Sequence, residues 1–150
     1  REPLWKDMED ARTQMAYGLS VCDILKISDN EIQWFSGKED YTEGIHMLQQ
    51  TYQIPLILLS MGRDGSRAYY KDMLVEVPAF LQKNTIETTG AGDTFGACCL
   101  HHILKYGLDN LTKQQLKEML TFANAAASII TTRKGALRVM PSLEEIQRLL

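Results

Sequence analysis

The sequence lacks an excess of positive charge: 16 lysines and arginines are set against 19 aspartates and glutamates, for a net charge of −3. No local run of basic residues makes up for this, so the electrostatic footprint of a nucleic-acid-binding surface is missing. Cysteine is scarce. Cys22, Cys98 and Cys99 cannot all pair with one another, and the last two are adjacent inside an apolar stretch. Buried, reduced thiols in a cytoplasmic protein are the expectation. No apolar run approaches the length of a membrane span, and the opening Arg1-Glu2-Pro3-Leu4-Trp5-Lys6 has no signal-peptide core. His46, His101 and His102 have no second ligand at metal spacing and read as structural or surface residues. Internal repeats, low-complexity tracts and an evident linker are also missing. So is an initiator methionine, and the chain opens on Pro3-Leu4-Trp5 as though cut from something longer.

What is present fits a single α/β domain. The 150 residues, 45% hydrophobic and 23% charged, suffice for one globular core. Met8, Ala11, Met15, Ala16 and Leu19 recur at helical spacing, which predicts a helix over residues 6–17 with Gly18 as its stop. Residues 21–27 read as a short buried strand. Ser28-Asp29-Asn30-Glu31 has the form of a capping box and should start a helix running towards Gly37. A second helix is expected over residues 39–52, and Leu56-Ile57-Leu58-Leu59 is the apolar run of a strand buried on both faces. Gly62-Arg63-Asp64-Gly65 is a turn beyond that strand's carboxyl end, where open α/β sheets place ligands, although taken alone it reads first as an ordinary tight turn. Residues 67–71 and 73–77 suggest a hairpin with Asp72 in its turn. Thr112-Lys113-Gln114-Gln115 is another capping box, and its helix carries Leu116, Met119, Leu120, Ala123, Ala126, Ala127 and Ile130 on one face. The alanine-rich second half allows close packing against a neighbour or a flat ligand. Ser142 to Glu145 caps a last short helix.

The stretch around which the chain is organised is Glu87-Thr88-Thr89-Gly90-Ala91-Gly92-Asp93-Thr94-Phe95. Two glycines flank one small residue just before an apolar helix, so the helix's free N–H groups can converge on an anion, helped by the helix dipole. Asp93 is the odd member, because a carboxylate competes with a bound anion. Phosphoryl transfer gives it a task, as the base for an attacking hydroxyl. Closure of the helix end is the alternative, and on the bare Gly-x-Gly-Asp motif it is the favoured reading.

In order and without large gaps, the chain resembles the C-terminal half of the ribokinase-like carbohydrate kinases, the phosphofructokinase-B family. Thr88 to Gly96 is similar to the family's C-terminal signature. Asn124-Ala125-Ala126-Ala127 with Thr132-Arg133-Lys134-Gly135-Ala136 resembles its nucleotide-side helix and closing loop, and Ser60-x-Gly62 with Gly65 its strand-end turn. The resemblance implies a ribokinase-like three-layer α/β/α sandwich, in its C-terminal half only, with the N-terminal strands and lid absent. It implies ATP and Mg²⁺, with Asp93 as general base and the N–H groups of Gly90, Ala91 and Gly92 as anion hole. Ser60, Gly62 and Gly65 would border the nucleotide phosphates and ribose, and Asn124 the adenine.

A monovalent cation such as K⁺ would lie beside the anion hole, held by Glu87 and by the carbonyls of Thr89, Ile130, Arg133 and Gly135. Glu87 stands where aspartate is usual. The family's N-x-x-E motif is replaced by Ser28-x-x-Glu31, so Glu31 is either a water-mediated magnesium ligand or the acidic half of a capping box. Arg1-x-Pro3-Leu4-Trp5 and Lys26-Ile27-Ser28 resemble bacterial fructokinases, which tilts the acceptor towards fructose or a related ketohexose. Trp5 is better explained as an aromatic anchor for the incoming chain. A nucleoside acceptor, as in adenosine kinases, and a non-catalytic nucleotide-binding module are the other readings. The resemblance further implies a homodimeric parent and a fragment that is inactive by itself. An open sheet in such a half-fold invites self-association.

Overall fold

The computed structural model describes residues 4–150, so Arg1 and Pro3, which carry part of the fructokinase resemblance, lie outside the described residues. The chain divides into two compact units, Arg1–Leu59 and Ser60–Leu150.

In the first unit, α1 (Met8–Val21) is started by Asp7, whose carboxylate accepts the Asp10 N–H at 2.8 Å. The expected stop at Gly18 does not occur. The helix runs through it, because burial of Ala11 and Leu19 on one face outweighs the penalty of about 1 kcal/mol for an interior glycine. The chain turns extended only at Cys22, and β1 (Ile24–Ser28) follows. α2 (Asp29–Ser36) opens with the full capping box at Ser28 and ends at Gly37, whose φ of 69° few other residues tolerate. α3 (Tyr41–Tyr52) is capped by Asp40. It meets α2 at Gly44, where a Cβ would stand 2.9 Å from Ile32 Cγ1, and glycine is what permits that approach. β2 (Leu56–Ser60) has its first four residues at most 1% exposed. The Leu56 N–H donates to the Asp23 carbonyl at 3.3 Å, which sets the start of β2 beside the start of β1, so the two run in the same direction.

The second unit opens with the hairpin of β3 (Ser66–Tyr70) and β4 (Met73–Val77), antiparallel with Ser66 opposite Val77 and Tyr70 opposite Met73. Lys71, at a φ of 52°, turns the two-residue loop. The tip is pinned by Tyr70 Oη donating to the Leu108 carbonyl at 2.6 Å and Lys71 Nζ to that of Asp109 at 2.7 Å. α4 (Ala91–Tyr106) and α5 (Lys113–Ile130) pack along each other and bury Phe95, Cys99 and Ile103 from α4 with Leu116, Met119, Leu120 and Ala123 from α5. Each large apolar side chain so buried contributes about 1.5–3 kcal/mol. Burial raises both thiols here, Cys98 to about 11 and Cys99 further, which leaves them as inert packing groups. α6 (Leu143–Leu149), with its own capping box at Ser142, sets Ile146 against Ala125 and Ala126. No helix is long and apolar enough to cross a membrane among the described residues.

Candidate functional site

A cleft of about 340 Å³ lies within the second unit, walled by three pieces of backbone. The first is the turn after β2, which contributes Ser60, Gly62, Arg63 and Gly65. It is closed by the Met61 N–H donating to the Gly65 carbonyl at 2.8 Å and the Asp64 N–H to that of Met61 at 3.0 Å. Gly65 has a φ of 98°, and a Cβ there would fall 2.2 Å from the Val77 carbonyl oxygen. Only glycine lets the end of β4 cross the turn so closely.

The second wall is the segment after β4, with Ala79, Phe80, Leu81, Gln82 and Thr85 on the cleft. It has no regular structure of its own and is tied to α5 instead. Asn124 Nδ2 donates to the Val77 and Pro78 carbonyls at 3.2 and 3.1 Å. Gln82 Nε2 donates to Ser128 Oγ at 3.1 Å, and Ser128 Oγ donates onward to the Ala125 carbonyl at 2.8 Å. The Ile86 and Glu87 N–H groups reach the Thr131 carbonyl at 2.8 and 3.3 Å. Asn124 thus lines the cleft, but its amide N–H₂ is engaged by backbone, so its first role is to hold the wall.

The third wall is the start of α4. Gly90, at a φ of 78°, is the N-cap and has no side chain to offer the helix. The Ala91 N–H donates to the Thr88 carbonyl at 3.1 Å and the Thr94 N–H to that of Gly90 at 2.9 Å. Of the expected Gly90-Ala91-Gly92 cradle, closure of the turn engages the Ala91 N–H, while the N–H groups of Gly90 and Gly92, and of Asp93 beyond them, have no partner among the described residues. These donors, with the helix dipole behind them, are suited to receive an anion beside a cleft that Ala91 and Gly92 line. Asp93 is exposed and its carboxylate accepts no hydrogen bond among the described residues, so it is not closing the helix end.

Behind this wall, Glu87 Oε1 accepts the Gly135 N–H at 2.7 Å. Gly90 packs so tightly that a Cβ would stand 3.2 Å from Ala136 and from Ile130 Cδ1. Glu87, Thr131 and Gly135 therefore come together with the end of α5. Of the other expected cation ligands, Ile130 already accepts the Arg133 N–H at 3.1 Å, and Thr89 is exposed with no bond to this turn. Arg133 donates to the Val139 carbonyl at 3.1 Å and pairs with Glu145. A backbone hydrogen bond from Ser142, seconded by the guanidinium, holds the Glu145 carboxyl below its usual range.

Glu31 lies in the first unit, where its Oε2 accepts the Ser28 N–H at 2.8 Å in the capping box. No group of three or more histidine, cysteine, aspartate or glutamate side chains suited to a metal ion occurs among the described residues.

Gln82, Ser128, Thr131, Phe80 and Arg63 also border the cleft and were not singled out from the sequence. A signal existed for part of this set: Asn124, Ala127, Ser128 and Thr131, small or polar, share one face of α5 at spacings of three, one and three.

The profile described as pfkB family carbohydrate kinase matches residues 1–143. Fructokinase-1 of Zea mays is 33% identical over 150 residues, all of this chain and 46% of the relative. The fructokinase of Klebsiella pneumoniae is 33% identical over 149 residues, 99% of this chain and 48% of the relative. Among solved structures, fructokinase from Vibrio cholerae O395 bound to fructose, ADP and calcium superposes with a TM-score of 0.89 at 25% identity, covering 100% of this chain and 48% of that one. The chain spans about half the length of the curated relatives it matches.

Proposed function

The chain belongs to the pfkB family of carbohydrate kinases, and on that premise we propose that its cleft is the nucleotide side of an ATP-dependent kinase that phosphorylates fructose or a related ketohexose. Its α/β fold is the ribokinase-like one, present in part. The observation that carries the reading is the start of α4. Two open N–H donors stand at Gly92 and Asp93 beside the cleft, and an unengaged carboxylate projects from the same turn.

Successive helix residues point about 100° apart, so Gly92 can border the nucleotide while Asp93 presents to an acceptor on the next face. In this reading the N–H pair holds the transferred phosphoryl group as its charge redistributes, and the Asp93 carboxylate takes the hydroxyl proton. Ser60, Gly62 and Gly65 border the phosphates and ribose, and the Ala127 and Phe80 surfaces flank the base. Magnesium accompanies ATP through its phosphates and water, and no step is assigned to a protein-held ion. Glu87, with the carbonyls near Gly135, is the place for a monovalent cation. The fructose acceptor rests on the fructokinases among the relatives.

Titration calorimetry with Mg-ATP tests the reading on the 150 residues themselves. Binding is expected, and Gly92→Val should abolish it by blocking approach to the donors. The chain alone should release no ADP in the presence of fructose. In a full-length protein carrying this sequence, Asp93→Asn should leave ATP affinity in place and lower turnover at least about 10²-fold, the low end for a general base. Unchanged turnover would remove Asp93 from that role.

A further inference from the structure

We propose that Gln82 selects the base of the nucleotide, by presenting a fixed acceptor, Oε1, to the exocyclic amino group of adenine. A glutamine amide by itself does not discriminate, because it can turn over and offer either its oxygen or its N–H₂. Ser128 removes that freedom. It is 7% exposed, and its hydroxyl hydrogen is committed to the Ala125 carbonyl at 2.8 Å. What Ser128 Oγ has left is lone pairs, so the end of the Gln82 amide that meets it at 3.1 Å must be the nitrogen. The opposite end, Oε1, accepts no hydrogen bond among the described residues, and Gln82 borders the cleft.

The neighbours leave the same polarity. Asn124 Nδ2 donates to the Val77 and Pro78 carbonyls, Thr131 Oγ1 to that of Ser128 at 2.7 Å, and Thr85 Oγ1 to that of Gln82 at 3.2 Å. All three line the cleft, and each turns its donating end into the protein. The side chains on this wall therefore meet a ligand with acceptors. Such a wall suits a base that carries an amino group and disfavours one with a carbonyl in its place. Adenine presents N–H₂ at its 6-position, whereas guanine and hypoxanthine present an oxygen there, which would face Oε1 acceptor to acceptor. In the kinase reading above, on which this rests, the base lies between Phe80 and Ala127. Gln82 is then the residue that tells bases apart, and Ser128 is the positioning residue behind it.

Calorimetric titration of the 150-residue chain with the magnesium salts of ATP, purine riboside triphosphate and ITP is the test. At the 6-position these bases carry an amino group, a hydrogen and an oxygen in turn. Affinity should fall in that order, with ITP at least about tenfold weaker than ATP, the worth of one neutral hydrogen bond together with the acceptor clash. Ser128→Ala frees the amide to turn its nitrogen outward, so the ATP-to-ITP ratio should shrink at least about threefold. Gln82→Leu removes the acceptor and should bring ATP down towards purine riboside triphosphate. A side chain that only braced the wall would weaken all the nucleotides by one factor and leave their ratios unchanged, and that result in both variants overturns the proposal. Equal affinity of the wild type for ATP and ITP overturns it too, and leaves the kinase reading standing. Binding of none of the nucleotides overturns both.

Discussion

The Glu87 carboxylate accepts the Gly135 backbone N–H at 2.7 Å, across 48 positions of sequence. This bond ties the segment that leads into α4 to the loop that follows α5. With Gly90 wedged against Ala136 and Ile130, it sets where the open N–H groups point. The orientation of the proposed phosphate site is thus decided outside α4 itself.

Glu87→Ala should destabilise the protein by about 1.5–3 kcal/mol, the worth of a hydrogen bond to a charged group. Glu87→Gln retains an acceptor oxygen and should lose much less. Urea titration distinguishes them, and an alanine variant as stable as the wild type would mean that the bond does not hold the loop. If the site also binds a monovalent cation, the glutamine variant of a full-length protein carrying this sequence should lose any potassium dependence that the unmodified protein displays.

Asn124→Ala leaves the Val77 and Pro78 carbonyls without their donor, with an expected cost of about 1–3 kcal/mol. Asn124→Asp should be worse at neutral pH, because a carboxylate would face two carbonyl oxygens. Acidification should recover part of that loss, since a protonated carboxyl can donate. Thermal melts of the two variants at pH 5 and pH 7 read the difference directly, and a pH-independent Asp variant would refute the donor role.

Gly65→Ala should be among the most damaging small substitutions. Its Cβ would meet the Val77 carbonyl at 2.2 Å, with backbone strain of about 1–3 kcal/mol added. A fall in melting temperature together with lost ATP binding is expected. Gly18→Ala, in open helix, should by contrast stabilise by about 0.4–1 kcal/mol.

The acid limb of the stability curve should carry a contribution from Glu145. Its folded pKa lies below the ordinary 4.5 because the Ser142 backbone and Arg133 favour the ionised form. Such a group stabilises above the unfolded value and loses that contribution as pH falls through the lowered folded value. Glu145→Gln should therefore flatten the stability profile below about pH 4.5. An unchanged profile in denaturant melts across pH 3–6 would show the pair to be inert.

Local rules made much of this fold legible. Ser28, Thr112 and Ser142 each begin a helix through the capping box that their spacing to Glu31, Gln115 and Glu145 announces. Asp72 sits in the hairpin turn where it was expected. Gly18 misled because tertiary burial of Leu19 overrode a weak local preference. At the site, the glycines and the small face of α5 could be seen in the residues, but their connections could not. Gln82 and Ser128 are 46 positions apart, and nothing local marks either as the other's partner. The engagement of Ala91 by Thr88 depends on how the turn closes, which a Gly-x-Gly pattern leaves open.

The segment between β4 and α4 is attached to α5 at Asn124, Ser128 and Thr131, roughly one attachment per helical turn. Between those points Phe80 packs beside Ala125, Ala126 and Ile146, and Thr85 Oγ1 donates to the Gln82 carbonyl at 3.2 Å, which leaves exposed Leu81, Lys83 and Asn84 as the least tied positions. Insertions and deletions there can enlarge or shrink the base side of the cleft while Glu87 and the start of α4 stay where they are. In the kinase reading proposed above, the base side of the cleft can thus diversify independently of the phosphate side.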